Sequence, residues 1–280
     1  MSLDSSAPQA KSRAGRDLRA AVTVAVVMIA VIVASLAYAR SGFLVVVGAA
    51  ILLGLWELGR ALARSGTWLP LPPMAAGALG MIAGSYYGGP DVLVGVLAAT
   101  VLVSLLWRMP RGQDGFVRDV SATVLCLVYL PFLASFVALL LAPGDGVSRV
   151  LTFFAVTIVS DVGGYAVGVV FGRRLMAPAI SPKKSWEGFA GSCAACMAAG
   201  VACMVFLVDG DWWIGLVLGA SVAVAATLGD LAESLVKRDL GIKDMSNILP
   251  GHGGIMDRLD SLLAAVPVVY LVLHFLVPAT

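Results

Sequence analysis

Residues 119–142 read DVSATVLCLVYLPFLASFVALLLA, and residues 149–172 read RVLTFFAVTIVSDVGGYAVGVVFG. Each is long enough to cross the hydrocarbon core of a bilayer, which takes about 20 predominantly apolar residues in a helix. The apolar residues run on without the alternation that membrane-barrel strands require, so these segments are read as helices. The pattern recurs along the chain at 20–39, 42–63, 72–88, 91–107, 188–208, 212–232 and 261–278. The third and fourth of these runs are the shortest and are rich in glycine. The expected fold is therefore all-α: a polytopic transmembrane helix bundle of about nine spanning helices.

Composition agrees. The chain of 280 residues is 60% hydrophobic and 13% charged, with a mean hydropathy of +0.95. A soluble domain carries about 25% charged residues, so lipid rather than water must cover this surface. A net charge of +2 is too small to indicate nucleic-acid binding, and no nucleic-acid partner is expected. Of the four cysteines, Cys193 and Cys196 form a C-x-x-C inside an apolar run. With no second pair and no nearby His, they read as small residues packing a membrane helix.

Lys and Arg favour cytoplasmic loops. They occur in the N-terminal tail (Lys11, Arg13, Arg16, Arg19) and after the second run (Arg60, Arg64). They recur after the fourth (Arg108, Arg111, Arg118), the sixth (Arg173, Arg174, Lys183, Lys184) and the eighth (Lys237, Arg238, Lys243, Arg258). The intervening loops hold only Arg40 and Arg149. The alternation predicts an N-terminus inside and a C-terminus outside. The first apolar run is too long for a signal peptide and is followed by further spans, so it is read as a retained helix. The expected organisation is a basic cytoplasmic tail (1–19) and a single integral membrane catalytic domain (20–280). The two long charged loops, 171–187 and 237–260, fall on the cytoplasmic side, and the chemistry is expected there.

The densest polar segment is GDLAESLVKRDLGIKDMSNILPGHGGIMDRLD, residues 229–260. Asp230, Glu233, Ser234 and Lys237 are spaced to share one helix face. Carboxylates entering from an apolar run are costly unless paired, protonated or bound to a metal. The turn around His252, with Gly251, Gly253 and Gly254, lets backbone N–H groups approach an anion. Asp257 and Asp260, three residues apart, are placed to share a face at the start of the last helix. Hard oxygen ligands of this kind suit Mg²⁺, usually held by one or two carboxylates plus substrate phosphates. A second segment, SPKKSWEG at 181–188, puts two lysines and hydroxyls before a helix start, a site suited to phosphate. Asp161 lies about eleven residues from the cytoplasmic end of its span, roughly 16 Å deep, and an intramembrane carboxylate is functional by default. Glu57 is expected to form a snorkelling salt bridge with Arg60 and Arg64.

Lysines, arginines, a glycine-rich turn and several carboxylates together describe phosphoryl or nucleotidyl transfer, in which the protein positions groups and neutralises charge. The segment from Ser234 to Asp260 resembles the signature of the phosphatidate cytidylyltransferases, also called CDP-diglyceride synthetases. Ser234, Lys237, Arg238, Lys243, Asp244, Ser246, Pro250, His252, Gly253, Gly254, Asp257, Arg258 and Asp260 fill its fixed positions. Asp161 with Tyr165, and the segment at 181–188, also resemble the family, which more often has Thr where Ser185 stands.

The resemblance implies that CTP and phosphatidic acid give CDP-diacylglycerol and pyrophosphate, with Mg²⁺ and a potassium ion beside it. It implies a multi-pass protein of the cell (inner or plasma) membrane whose active site faces the cytoplasm. A homodimer is left open. Carried onto this chain, Asp230, Asp257 and Asp260 would be metal ligands, and Asp230, Asp257, Lys237 and Asp161 would be catalytic. Lys183, Lys184, Ser185, Ser234, Arg238, Lys243, His252, Gly253, Gly254 and Arg258 would bind substrate. The alternatives are a nucleotidyltransferase for another lipid phosphate and a secondary transporter using Asp161 as a coupling carboxylate. No internal repeat of the kind such transporters show is visible in the sequence.

Overall fold

The computed structural model describes residues 14–246, 248 and 253–278. Its long elements are α1 (Ala14–Tyr38), α2 (Arg40–Arg64), α3 (Leu71–Arg108), α4 (Phe116–Leu127), α5 (Leu133–Leu141), α6 (Gly146–Phe171), α7 (Trp186–Cys203), α8 (Trp212–Asp239) and α9 (Met256–Leu276). A π-turn at Val128–Phe132, where Pro131 lacks an N–H, joins α4 to α5. A second, Met204–Val208, extends α7. Seven of the described helical segments are long and apolar enough to cross a membrane, and the apolar stretch of α1, Val26–Tyr38, is shorter.

The expected third and fourth spans lie within the single element α3. It breaks at Gly89 (φ 75°, ψ −167°), directly before Pro90. Glycine accepts that positive φ and proline cannot donate to the preceding turn, so the helix reverses there. A Cβ on Gly77 would overlap Thr100, one on Gly80 would press on Val96, and one on Gly84 would press on Val92. The two arms therefore run antiparallel, in close contact through small residues.

Two further boundaries differ from the sequence reading. Helix α8 continues to Asp239 and α9 begins at Met256, because their charged ends pair with one another rather than with water. A short antiparallel hairpin, β1 (Leu175–Ala177) with β2 (Ser181–Ser185), joins α6 to α7. The other regular elements among the described residues are helical, as expected.

Helices α6 to α9 pack in sequence order, and their crossings are made by glycine. A Cβ on Gly219 would meet the backbone of Cys196 and Met197, and one on Gly215 would meet Gly200 and Val201. Cys193 and Cys196 are free thiols in this contact zone, and Cys196 Sγ lies 3.5 Å from the Val156 carbonyl. Two apolar clusters fill the bundle, and Leu44, Val47, Phe136 and Tyr270 touch both.

At the end remote from the charged loops, Arg149 pairs with Asp145 at 2.8 Å and donates to the carbonyls of Leu273, Val277 and Pro278 at the end of α9. Arg40 donates to the Pro143 carbonyl at 2.8 Å. Both basic residues of that end are thus used as caps on chain ends and turns. At the opposite end, Asp119 accepts from Arg108 (2.8 Å) and from the Trp68 backbone N–H (3.0 Å), joining α3, α4 and the turn after α2.

The glycine crossings give a direct test. Gly219→Ala should destabilise the protein by about 1–3 kcal/mol through overpacking, whereas Gly95→Ala, whose Cβ meets nothing within 4 Å, should not. Thermal unfolding in detergent compares the two. Equal midpoints would mean that α7 and α8 do not cross as described.

Candidate active site

The hairpin is held in place by its own helix. Ser185 caps α7, its Oγ accepting from Gly188 N at 3.1 Å. Glu187 Oε2 accepts from the backbone N–H groups of Arg173 and Arg174, each at 3.1 Å. These contacts fix β2, and β2 projects Lys184 toward α8, where its Nζ lies 2.6 Å from Asp230 Oδ2 and 3.4 Å from the Thr227 carbonyl. Ser234, one turn further along α8, donates to Asp230 Oδ1 at 3.3 Å.

Helix α8 carries its other carboxylate inward. Glu233 is fully buried and pairs with Lys237 one turn later. The same ammonium reaches across to Asp257 Oδ1, 2.9 Å away. Asp257 Oδ2 accepts from the backbone N–H groups of Gly254 (2.8 Å) and Met245 (3.1 Å), so one carboxylate closes the loop between α8 and α9. Gly253 takes φ +79°, which a side chain would strain, and a Cβ there would press on Asp257 Oδ2. Three residues on, Asp260 Oδ1 accepts from Ser261 N at 2.7 Å and Ser261 Oγ at 3.1 Å. Ser261 Oγ also lies 3.4 Å from Asp161 Oδ2 on α6.

One cavity of about 370 Å³ collects these groups. Asp161, Lys183, Lys184, Ser185, Asp230, Asp257, Arg258 and Asp260 line it. The carboxylates come from α6, α8 and α9, and the lysines from β2. Ser234, Lys237 and Gly254 stand behind the lining and hold its carboxylates, and Gly253 makes the turn beside Asp257. Lys237, expected to be catalytic, is placed between Glu233 and Asp257. Arg238 and Lys243 are exposed and lie outside the lining. His252, with Pro250 and Gly251, lies outside the described residues.

Other members of the site were not singled out from the sequence. Ser160 and Ser192 join across the α6–α7 contact at 2.7 Å and line the cavity floor, and Ser261 links two of the aspartates. Adjacency to Asp161 and Asp260 was the available signal for Ser160 and Ser261. Glu57 corrects its expectation. It is 1% exposed, and its carboxylate accepts from Ile255 N and Met256 N, each at 3.0 Å, and from Ser246 Oγ. It caps the N-terminus of α9, while Arg60 stacks on Trp56 with its guanidinium 5.1 Å from the ring centroid. The cap and its carboxylate are nearly 200 positions apart in the chain, so no local pattern announces the contact.

The profile of the cytidylyltransferase family matches residues 19–276. The chain belongs to that family. A phosphatidate cytidylyltransferase from Mycobacterium bovis is 42% identical over 281 residues, covering 95% of this chain and 91% of its own. One from Mycobacterium leprae is 40% identical over 94% of this chain and 90% of its own. One from Brucella suis is 39% identical over 65% of this chain.

The cavity suits a hard cation in its donor chemistry, since four carboxylates open onto it and, among the described residues, no thiolate or imidazole lines it. Among the described residues no three such side chains form a ready-made cage.

Lys237 is the sole described ion-pair partner of the buried Glu233. Lys237→Met should therefore cost roughly 3–5 kcal/mol, the usual loss when one member of a buried pair is removed. Lys243→Met, at an exposed position, should cost less than about 0.5 kcal/mol. Chemical denaturation of the two variants checks the difference, and similar losses would refute the buried pairing.

Proposed function

We propose that this chain transfers the cytidylyl group of CTP to phosphatidate at the cytoplasmic face of the cell membrane, giving CDP-diacylglycerol and pyrophosphate. The observation that carries the reading is the meeting of Asp161, Asp230, Asp257 and Asp260 with Lys183, Lys184 and Arg258 in one cavity. Membership of the family, and relatives that bear this activity in their name along nearly their whole length, support it.

The roles follow from position. Lys183 and Lys184, on the hairpin, would receive the triphosphate, and Lys184 would shed its Asp230 contact as it arrives. Arg258 would hold the lipid phosphate. Asp230, Asp257 and Asp260 would hold magnesium between the two substrates, and a potassium ion would occupy the same acidic region. When bound, magnesium would withdraw electron density from the α-phosphate and neutralise the departing pyrophosphate. Asp161, linked to Asp260 through Ser261, would fix that carboxylate's orientation. The lipid phosphomonoester, with a second pKa of about 6 by analogy with phosphorylated side chains, is already largely ionised near pH 7. Its oxygen attacks the α-phosphorus as pyrophosphate leaves, and no side chain has to act as a strong base. His252 is then assigned to phosphate contact or loop structure.

Nine crossings is the count adopted. The two arms of α3, residues 71–88 and 90–108, each extend about 27 Å at 1.5 Å per residue, and α1 supplies the ninth. An odd number puts the termini on opposite sides. The crowding of Lys and Arg at the cavity's end supports an N-terminus and an active site that face the cytoplasm. The tail 1–19 would then be cytoplasmic, and 20–280 one catalytic unit.

The purified protein, given CTP, phosphatidic acid and Mg²⁺, should form CDP-diacylglycerol. Chelation should stop the reaction, and added Mg²⁺ should restore it. Asp230→Asn and Asp257→Asn should each lower turnover by about 10²-fold or more; Asp230→Asn, at a half-exposed side chain, should leave the unfolding midpoint unchanged, and Asp257→Asn, which loses the charge paired with Lys237, should lower it. Near-normal turnover in both would remove the metal-site assignment.

A further inference from the structure

A second cavity, of about 330 Å³, lies on the opposite face of α9. Its walls come from α1, α2, α5, α6 and α9, and every side chain in them is apolar except one. The exception is Arg258, which lines this groove and the polar cavity alike. From Arg258 the groove follows α9 to Val266, eight residues or about 12 Å at 1.5 Å per residue. Val27 and Val31 of α1 and Leu53 of α2 stand at its edge with 54%, 44% and 43% of their surface exposed, so the groove is open on the side that faces lipid.

Arg258 is in the first turn of α9, beside the helix's positive end. A cation there runs against the macrodipole, and an anion bound to it reverses the balance. An anion held at Arg258 with a hydrocarbon tail would place the tail at the mouth of the groove, where tethering raises its effective concentration above that of free lipid.

We propose that the groove between α2 and α9 holds one acyl chain of the phosphatidate whose phosphate sits at Arg258, and that its length sets a chain-length preference. This rests on the cytidylyltransferase reading above. The groove accommodates roughly ten carbons of extended chain, taking each bond as about a third of the ~3.6 Å that three backbone bonds span. Carbons beyond that emerge between α1 and α2 into the bilayer. Ala50 lines the groove midway along α2, so a larger side chain there shortens it.

The test compares dioleoyl and dioctanoyl phosphatidate in mixed micelles, with wild-type protein and with Ala50→Phe. The wild type should make CDP-diacylglycerol from both. In Ala50→Phe the ratio of kcat/KM for the dioleoyl over the dioctanoyl lipid should fall about tenfold, the equivalent of losing two buried methylenes. A ratio that stays within twofold of wild type overturns the groove assignment and leaves the reaction standing. No CDP-diacylglycerol from the wild type overturns both. Should Ala50→Phe fail to fold, the wild type decides alone. A phosphatidate carrying a photoreactive group on its acyl chain should label residues 43–53 and 259–266, displaced by unlabelled phosphatidate but not by phosphatidylcholine. Equal displacement by the two lipids would mean that any bilayer lipid fills the groove, and the proposal falls.

Discussion

Negative charge held inside a membrane-embedded helix bundle is the constraint on which the rest of this structure depends. Four aspartates and one glutamate lie at one end of α6, α8 and α9, and a carboxylate there is tolerated only if donors or cations meet it. Each is met by a cation, a hydroxyl or a backbone N–H group. Asp230 is met by Lys184 from the hairpin, Asp257 by Lys237 and two loop N–H groups, and Asp260 and Asp161 by one serine hydroxyl. Glu233 is committed to Lys237. Because these partners come from distant segments, the charge balance is complete only when the hairpin, the loop and three helices are docked together. The site and the fold at this end are therefore one cooperative unit.

Close helix approach is the second condition, and glycine supplies it. Gly229 immediately precedes Asp230, and a Cβ there would run into the Asp260 carbonyl and the Ala264 methyl. The α8–α9 contact is thus close where the two aspartates stand, which brings a carboxylate from each helix to the same cavity. A larger residue at that position would separate the helices and the carboxylates with them. Glu57 acts on the same pair from the other side, since its cap on Ile255 and Met256 sets where α9 begins.

Much of this was legible in the sequence, for identifiable reasons. Apolar runs mark helices because lipid leaves no other way to satisfy the backbone. Asp257 could be placed with Asp260, and Asp230 with Ser234, because helical spacing is a local rule; that the two sets meet was implied only by the family resemblance. What sequence did not disclose is non-local. Glu57 reads as one more charge beside Arg60 and Arg64, since nothing near it names a partner on α9. The pairing of Lys237 with Asp257 crosses the loop between α8 and α9, so no spacing along α8 announces it. The hairpin at 175–185 escaped notice because so short a pair carries no apolar alternation. The break in α3 could be suspected from Gly88-Gly89-Pro90, but whether the arms bend or fold back is decided by the small residues that let Gly77 meet Thr100.

The depth of the polar cavity explains why a membrane enzyme of this kind is built from carboxylates below the interface rather than on a surface loop. Asp161 lies ten residues inside the end of α6 at Phe171, about 15 Å along the helix. A reaction between a soluble nucleotide and a lipid phosphate can be staged by raising the lipid or by lowering the nucleotide. Raising the lipid withdraws methylenes from hydrocarbon at about 0.8 kcal/mol each, and lifting even five would cost about 4 kcal/mol. Lowering the nucleotide costs the desolvation of its phosphates, but that is the quantity that lysines, an arginine and an acid-bound cation can offset locally. On the proposed reaction the lipid keeps its chains in hydrocarbon, and the bundle brings a polar pocket down to meet its phosphate.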